Sequence, residues 1–85
     1  MNYYTYIIYS RTKNRYYIGS SKNIKERLIR HNAGATKSTK PGRPWSIVYF
    51  EKFESKSDAI KREFQLKRMK SRVFIENLIR ENTDS

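Results

Sequence analysis

Three titratable residues of this chain fall where the surrounding pattern calls for apolar side chains. Ile24, Leu28 and His31 recur at i, i+4 and i+7 with Arg27 at i+3, so on a helix an arginine and the only histidine share the apolar stripe. Glu63 follows Ala59 by four residues and Ile60 by three, and it precedes Leu66 by three, in the middle of a second apolar face. A carboxylate there is costly unless a cation meets it. Each anomaly has a plainer explanation. Arg27 can run its stem along the edge of a core, His31 can be a satisfied core histidine, and Glu63 can pair with Lys67 one turn on. That pairing accounts for an exposed glutamate better than for one inside the apolar stripe, so Glu63 is expected to carry a functional charge.

Phenols come from the N-terminal segment. If residues 11–14 form the turn of a hairpin, Ile8 pairs with Tyr17 and Tyr6 with Gly19, which puts Tyr6, Ile8, Tyr17 and Gly19 on one face. Two hydroxyls then lie diagonally adjacent, beside a glycine expected to leave space for a substrate backbone. Tyr3, Tyr4, Tyr9, Tyr16 and Tyr49 read as sheet or stacking residues.

The elements that must position these groups follow from local signals. Residues 3–10 and 15–20, rich in Tyr and Ile, read as two strands, with the polar 11–14 between them. Asn23 with Glu26 resembles a capping box that opens a helix to about Asn32. Residues 33–44 read as a loop broken by Gly34, Pro41, Gly42 and Pro44 and charged by Lys37, Lys40 and Arg43. Residues 45–53 form a third strand, Ser55 or Ser57 caps a helix to about Met69, and Ser71 caps another to about Arg80. The order ββαβαα predicts an α+β domain, an antiparallel sheet covered by helices.

At 85 residues the chain is expected to form one domain over 1–85. It has no cysteine and one histidine, which excludes a disulfide framework, a thiolate zinc site and a histidine-rich metal site. Any metal must be held mainly by oxygen, which points to magnesium or manganese. No apolar run approaches a membrane span and no signal segment is evident, so a soluble cytoplasmic protein is expected, without membrane or organic cofactor. Nineteen Lys and Arg against eight Asp and Glu give a net charge of +11. Spread along the whole chain, that excess predicts a nucleic acid partner in preference to a membrane surface.

The ordered set of these residues resembles the GIY-YIG nuclease superfamily, and in particular its small stand-alone UPF0213-type members. The second motif stands intact as Tyr17-Ile18-Gly19, and the first survives as Tyr4-Thr5-Tyr6. Arg27 follows Tyr17 by ten residues, His31 follows Arg27 by four, and Ala59-Ile60-Lys61-Arg62-Glu63 matches the segment that carries the metal-binding glutamate. The likeness spans about residues 3–71.

What the resemblance implies is a central three-stranded antiparallel sheet flanked by helices and the hydrolysis of nucleic acid phosphodiesters with one magnesium or manganese ion. Tyr17 would help activate the attacking water, Tyr6 would orient water or phosphate, Arg27 would bind the scissile phosphate, His31 would relay the proton and Glu63 would hold the ion. Lys37, Lys40 and Arg43 are expected to track the phosphate backbone. Ser20 departs from the pattern, since repair-type members often carry a lysine there. The nearest counterpart to a downstream asparagine of some members is Asn77.

A phenol ionises near pH 10, so making it a base at neutral pH costs roughly 4 kcal/mol. A guanidinium ~4 Å away at an effective dielectric of ~20 returns a similar amount. Neutral His31 offers a second route for the proton. The reading is therefore an endonuclease acting on nucleic acid, DNA being expected, with weak sequence specificity. A non-catalytic basic DNA- or RNA-binding module is the alternative. It explains the charge and the seven tyrosines, but not why Arg27, His31 and Glu63 turn inward.

Overall fold

In a computed structural model of the chain, residues 2–83 are described. The elements are β1 (Tyr3–Ser10), β2 (Arg15–Ser21), α1 (Ile24–Asn32), β3 (Trp45–Phe53), α2 (Lys56–Met69) and α3 (Arg72–Thr83), with a single 3-10 turn at Lys40–Gly42. The three strands form one antiparallel sheet in the order β2-β1-β3. This is the expected α+β architecture and order.

The period of two along β1 divides the core. Tyr6 and Ile8, with Trp45, face α1 and pack against Tyr17, Ile24, Leu28 and Ile47. Ile7 faces the other way and packs with Tyr49, Leu66 and Ile75, beneath α2 and α3. Every residue of β1 from Thr5 to Ile8 is buried, because helices cover both faces of the central strand. Thr5 ties the sheet to α2 through a hydrogen bond from its hydroxyl to the Ala59 carbonyl at 2.7 Å.

The hairpin register is the expected one, with Tyr6 opposite Gly19 and Ile8 opposite Tyr17. Asn14 takes the left-handed conformation that closes the turn, at φ 51°, and Arg72 donates to its carbonyl and side chain, pinning α3 to the hairpin tip. Against β3 the register slips between Ile7 and Ile8, a bulge that the sequence pattern did not signal.

Capping differs in detail from the sequence reading. Asn23 Oδ1 accepts from the Glu26 amide at 3.0 Å, but the Asn23 amide donates to Ser21 Oγ, so the reciprocal half of a capping box is replaced by a serine one residue before the helix cap's neighbour Lys22. Of the two serines before α2 it is Ser55 that caps, accepting from the Asp58 amide, and Ser71 caps α3, which runs on to Thr83.

The connection over residues 33–44 is held at both ends. Asn32 donates to the Trp45 carbonyl and accepts the Trp45 amide at 2.6 Å, while the Trp45 indole donates to the Thr39 carbonyl at 2.7 Å. Thr39 and Gly42 are buried as a result, and Lys37, Lys40 and Arg43 remain exposed around them.

Candidate active site

One half of the site is enclosed between β1, α1 and the 33–44 connection. Tyr6 is 2% exposed and its hydroxyl lies 3.0 Å from His31 Nε2, while His31 Nδ1 lies 2.8 Å from Thr39 Oγ1. Thr39 gives its single hydroxyl hydrogen to the Thr36 carbonyl, so it accepts from Nδ1–H and leaves Nε2 as the acceptor for Tyr6. Burial pushes the Tyr6 phenol well above its ordinary range, with Arg27 opposing the shift. Burial, followed by the charges of Arg27 and Arg30, lowers His31. Both shifts favour the neutral forms, a phenol that donates and an imidazole that accepts.

Gly19 belongs to this enclosed half. A Cβ at that position would lie 2.5 Å from the Tyr6 hydroxyl oxygen. The space left by the glycine is filled by Tyr6, which corrects the expectation that it clears room for a substrate backbone.

The other half lies along β2, the edge of the sheet. Tyr17 stands on the α1 face, its ring edge-on to His31 with centroids 5.2 Å apart. Among the described residues no hydrogen-bond partner holds its hydroxyl. Ser20 pairs with Thr5 and so faces α2, where its hydroxyl donates to Glu63 Oε1 at 2.6 Å. The second oxygen, Oε2, accepts from Lys67 Nζ at 2.6 Å. The Glu63 side chain is 16% exposed and that of Lys67 is 44% exposed. Lys67 Nζ also sits over the Tyr17 ring, 5.8 Å from its centroid, so one lysine pairs with the carboxylate of one face and stands over the phenol ring of the other.

Arg27 is half-buried on α1 and lines an open cleft with Ser20, Lys22, Arg30 and Lys56. Four cations against Glu26 make that cleft strongly electropositive. Lys40 and Arg43 flank a separate depression that shares no lining residue with it. Asn77 is exposed on α3 and accepts from Arg80.

Among the described residues no three His, Cys, Asp or Glu side chains gather as a metal-binding group. Glu63 therefore belongs to no such group; its two oxygens each accept one hydrogen bond and retain further acceptor capacity. Such a donor set fits a magnesium-type ion, which keeps most of its shell as water and substrate phosphate, and does not fit zinc.

Sequence reasoning singled out Tyr6, Tyr17, Arg27, His31 and Glu63; the structure gathers Tyr6, Tyr17 and His31 around β1, β2 and α1, brings Glu63 in from α2 through Ser20, and sets Arg27 in the neighbouring cleft, where its charge acts on Tyr6 and His31. It overlooked Thr39, which orients His31, and it took Ser20 only as a missing lysine. Thr39 has no spacing signal, because it meets the histidine through the path of a loop. Lys67 was visible as the i+4 neighbour of Glu63, but its approach to Tyr17 was not.

Comparison with known proteins points one way. The profile of the family described as "GIY-YIG catalytic domain" matches residues 2–77. A UPF0213 protein of Staphylococcus haemolyticus is 42% identical over 66 residues, covering 76% of this chain and 79% of that protein. A UPF0213 protein of Staphylococcus saprophyticus is 48% identical over 52 residues, covering 60% of this chain and 63% of that protein's length. Among solved structures, the solution NMR structure of a UPF0213 protein from Bacillus halodurans is 30% identical, with a TM-score of 0.57 over 93% of this chain and 83% of that one.

Proposed function

The chain belongs to the GIY-YIG nuclease family, among its UPF0213-type members, and from that premise we propose that it is a metal-dependent endonuclease that cuts DNA with weak sequence specificity. The observation that carries this reading is Glu63. Its half-buried carboxylate is aimed by Ser20 at the strand that also bears Tyr17, although α1 and α2 cover opposite faces of the sheet.

In this reading Arg27 and the cations of its cleft seat the scissile phosphate, by charge and by the planar fork of the guanidinium. Tyr17, with its hydroxyl uncommitted, orients the attacking water and takes its proton while passing its own hydroxyl proton to solvent. His31 is held in one tautomer by Thr39 and reaches Tyr6, so Tyr6 and His31 fix the wall against which Tyr17 packs. A magnesium or manganese ion held by Glu63 would supply charge neutralisation at the phosphate and the leaving oxygen. Lys37, Lys40 and Arg43 extend the positive surface and hold flanking duplex, contacts that carry little sequence information.

A second reading, a binding module without hydrolysis, is favoured by one observation: both Glu63 oxygens are already engaged, by Ser20 and Lys67. Incubating the protein with branched, flapped, single-stranded and duplex DNA and with RNA, in magnesium, manganese or chelator, separates the two. The nuclease reading expects metal-dependent cleavage that Glu63→Gln abolishes while affinity in chelator persists or tightens. Tight binding with no cleavage of any substrate under any metal would establish the binding module instead.

A further inference from the structure

Resting on the metal assignment above, we propose that the Lys67 ammonium is the resting counter-cation of Glu63, occupying the carboxylate face that a divalent ion needs and leaving it when the ion binds. The two partners are unequal. Glu63 is 16% exposed and oriented from the far side by Ser20, so its carboxylate has little freedom to turn away. Lys67 is 44% exposed on a flexible four-carbon stem, so it is the member that moves. A divalent ion and an ammonium on one carboxylate repel each other strongly at contact distance, and the pair at 2.6 Å must open for the ion to enter.

The released ammonium has a place to go. Its Nζ already lies 5.8 Å from the face of the Tyr17 ring, and cations are attracted to that face. From there it adds positive charge beside the phenol and the phosphate. Lys67 thereby has a consequence that an ordinary i,i+4 pair lacks. Metal and nucleic acid bind cooperatively, because a phosphate favours the freed ammonium and the ion frees it.

The test is the affinity of the full chain for Mn2+ alone, without nucleic acid, followed by the electron paramagnetic resonance signal of free Mn2+. Lys67→Met and Lys67→Gln should each bind Mn2+ about tenfold more tightly than wild type, the scale on which partners of metal ligands act. Lys67→Arg, which keeps a cation on the carboxylate, should bind no more tightly than wild type, and Glu63→Gln should bind none. If Lys67→Met and Lys67→Gln match wild type while Glu63→Gln loses the ion, the metal assignment stands and the displacement is wrong. Wild-type affinity in Glu63→Gln, or no binding by wild type and both Lys67 variants, would overturn the assignment and the displacement together.

Discussion

On the α1 face of the sheet Tyr6, His31 and Thr39 are 2%, 1% and 0% exposed, and each hydroxyl and ring nitrogen among them has a neutral partner. Along the β2 edge, Tyr17, Arg27 and Glu63 are half-buried, Lys67 is exposed, and the interactions are charged or uncommitted. The enclosed half is built like a core, where a buried polar network is tolerated because every member is satisfied. The open half keeps groups whose partners can be exchanged for water, phosphate or an ion. Residues of similar chemistry therefore have different surroundings: the Tyr6 hydroxyl is held by His31, and that of Tyr17 has no hydrogen-bond partner among the described residues.

That contrast breaks most sharply at the two phenols. Tyr17→Phe removes a hydroxyl without a hydrogen-bond partner among the described residues, so it should leave the melting temperature unchanged while cleavage falls on the order of 10²-fold or more, the usual contribution of a positioned base. Cleavage at the wild-type rate would remove Tyr17 from the mechanism. Gly19→Ala should do the reverse kind of damage, because its methyl meets the Tyr6 hydroxyl at 2.5 Å. We expect a loss of about 1–3 kcal/mol in stability, read by denaturant titration, as Tyr6 is driven from His31. A variant as stable as wild type would show that the enclosed half is looser than its geometry.

Two triple substitutions sharpen the comparison at the surface. Neutralising Lys22, Arg30 and Lys56 should flatten the salt dependence of duplex binding by up to about 3 units, at ~0.9 per phosphate contact, and should slow cleavage of the bound complex. Neutralising Lys37, Lys40 and Arg43 should flatten the slope on the same scale but leave cleavage of bound duplex intact. An unchanged slope in either variant would take the duplex off that surface.

The smallest effect is a pH dependence confined to the enclosed half. The native pKa of His31 is lowered, chiefly by burial, so below the ordinary value the unfolded chain binds more protons than the native one. The stability due to neutral His31 is complete above about pH 6.5 and is lost as the pH falls toward the lowered native value. The melting temperature should decline over that window, and His31→Gln should flatten the decline. An identical profile in both proteins would assign the acid sensitivity elsewhere.

Read by itself, the sequence determined what is local. The turn at 11–14 and the period of two set Tyr6 against Gly19 and Ile8 against Tyr17, and the helical spacing set Arg27 and His31 on one stripe and Glu63 beside Ala59 and Leu66. These follow from backbone geometry over a few residues, so adjacent positions suffice to read them. Tertiary structure decided the partners. Tyr6 meets His31 across 25 residues and Ser20 meets Glu63 across 43, and no periodicity reports such distances. The orientation of a side chain on its own element follows from dihedral angles, whereas the group it touches depends on how elements stack around the sheet. Helices covering both faces of β1 are what bring Arg27 and Glu63 to the same edge strand from opposite sides.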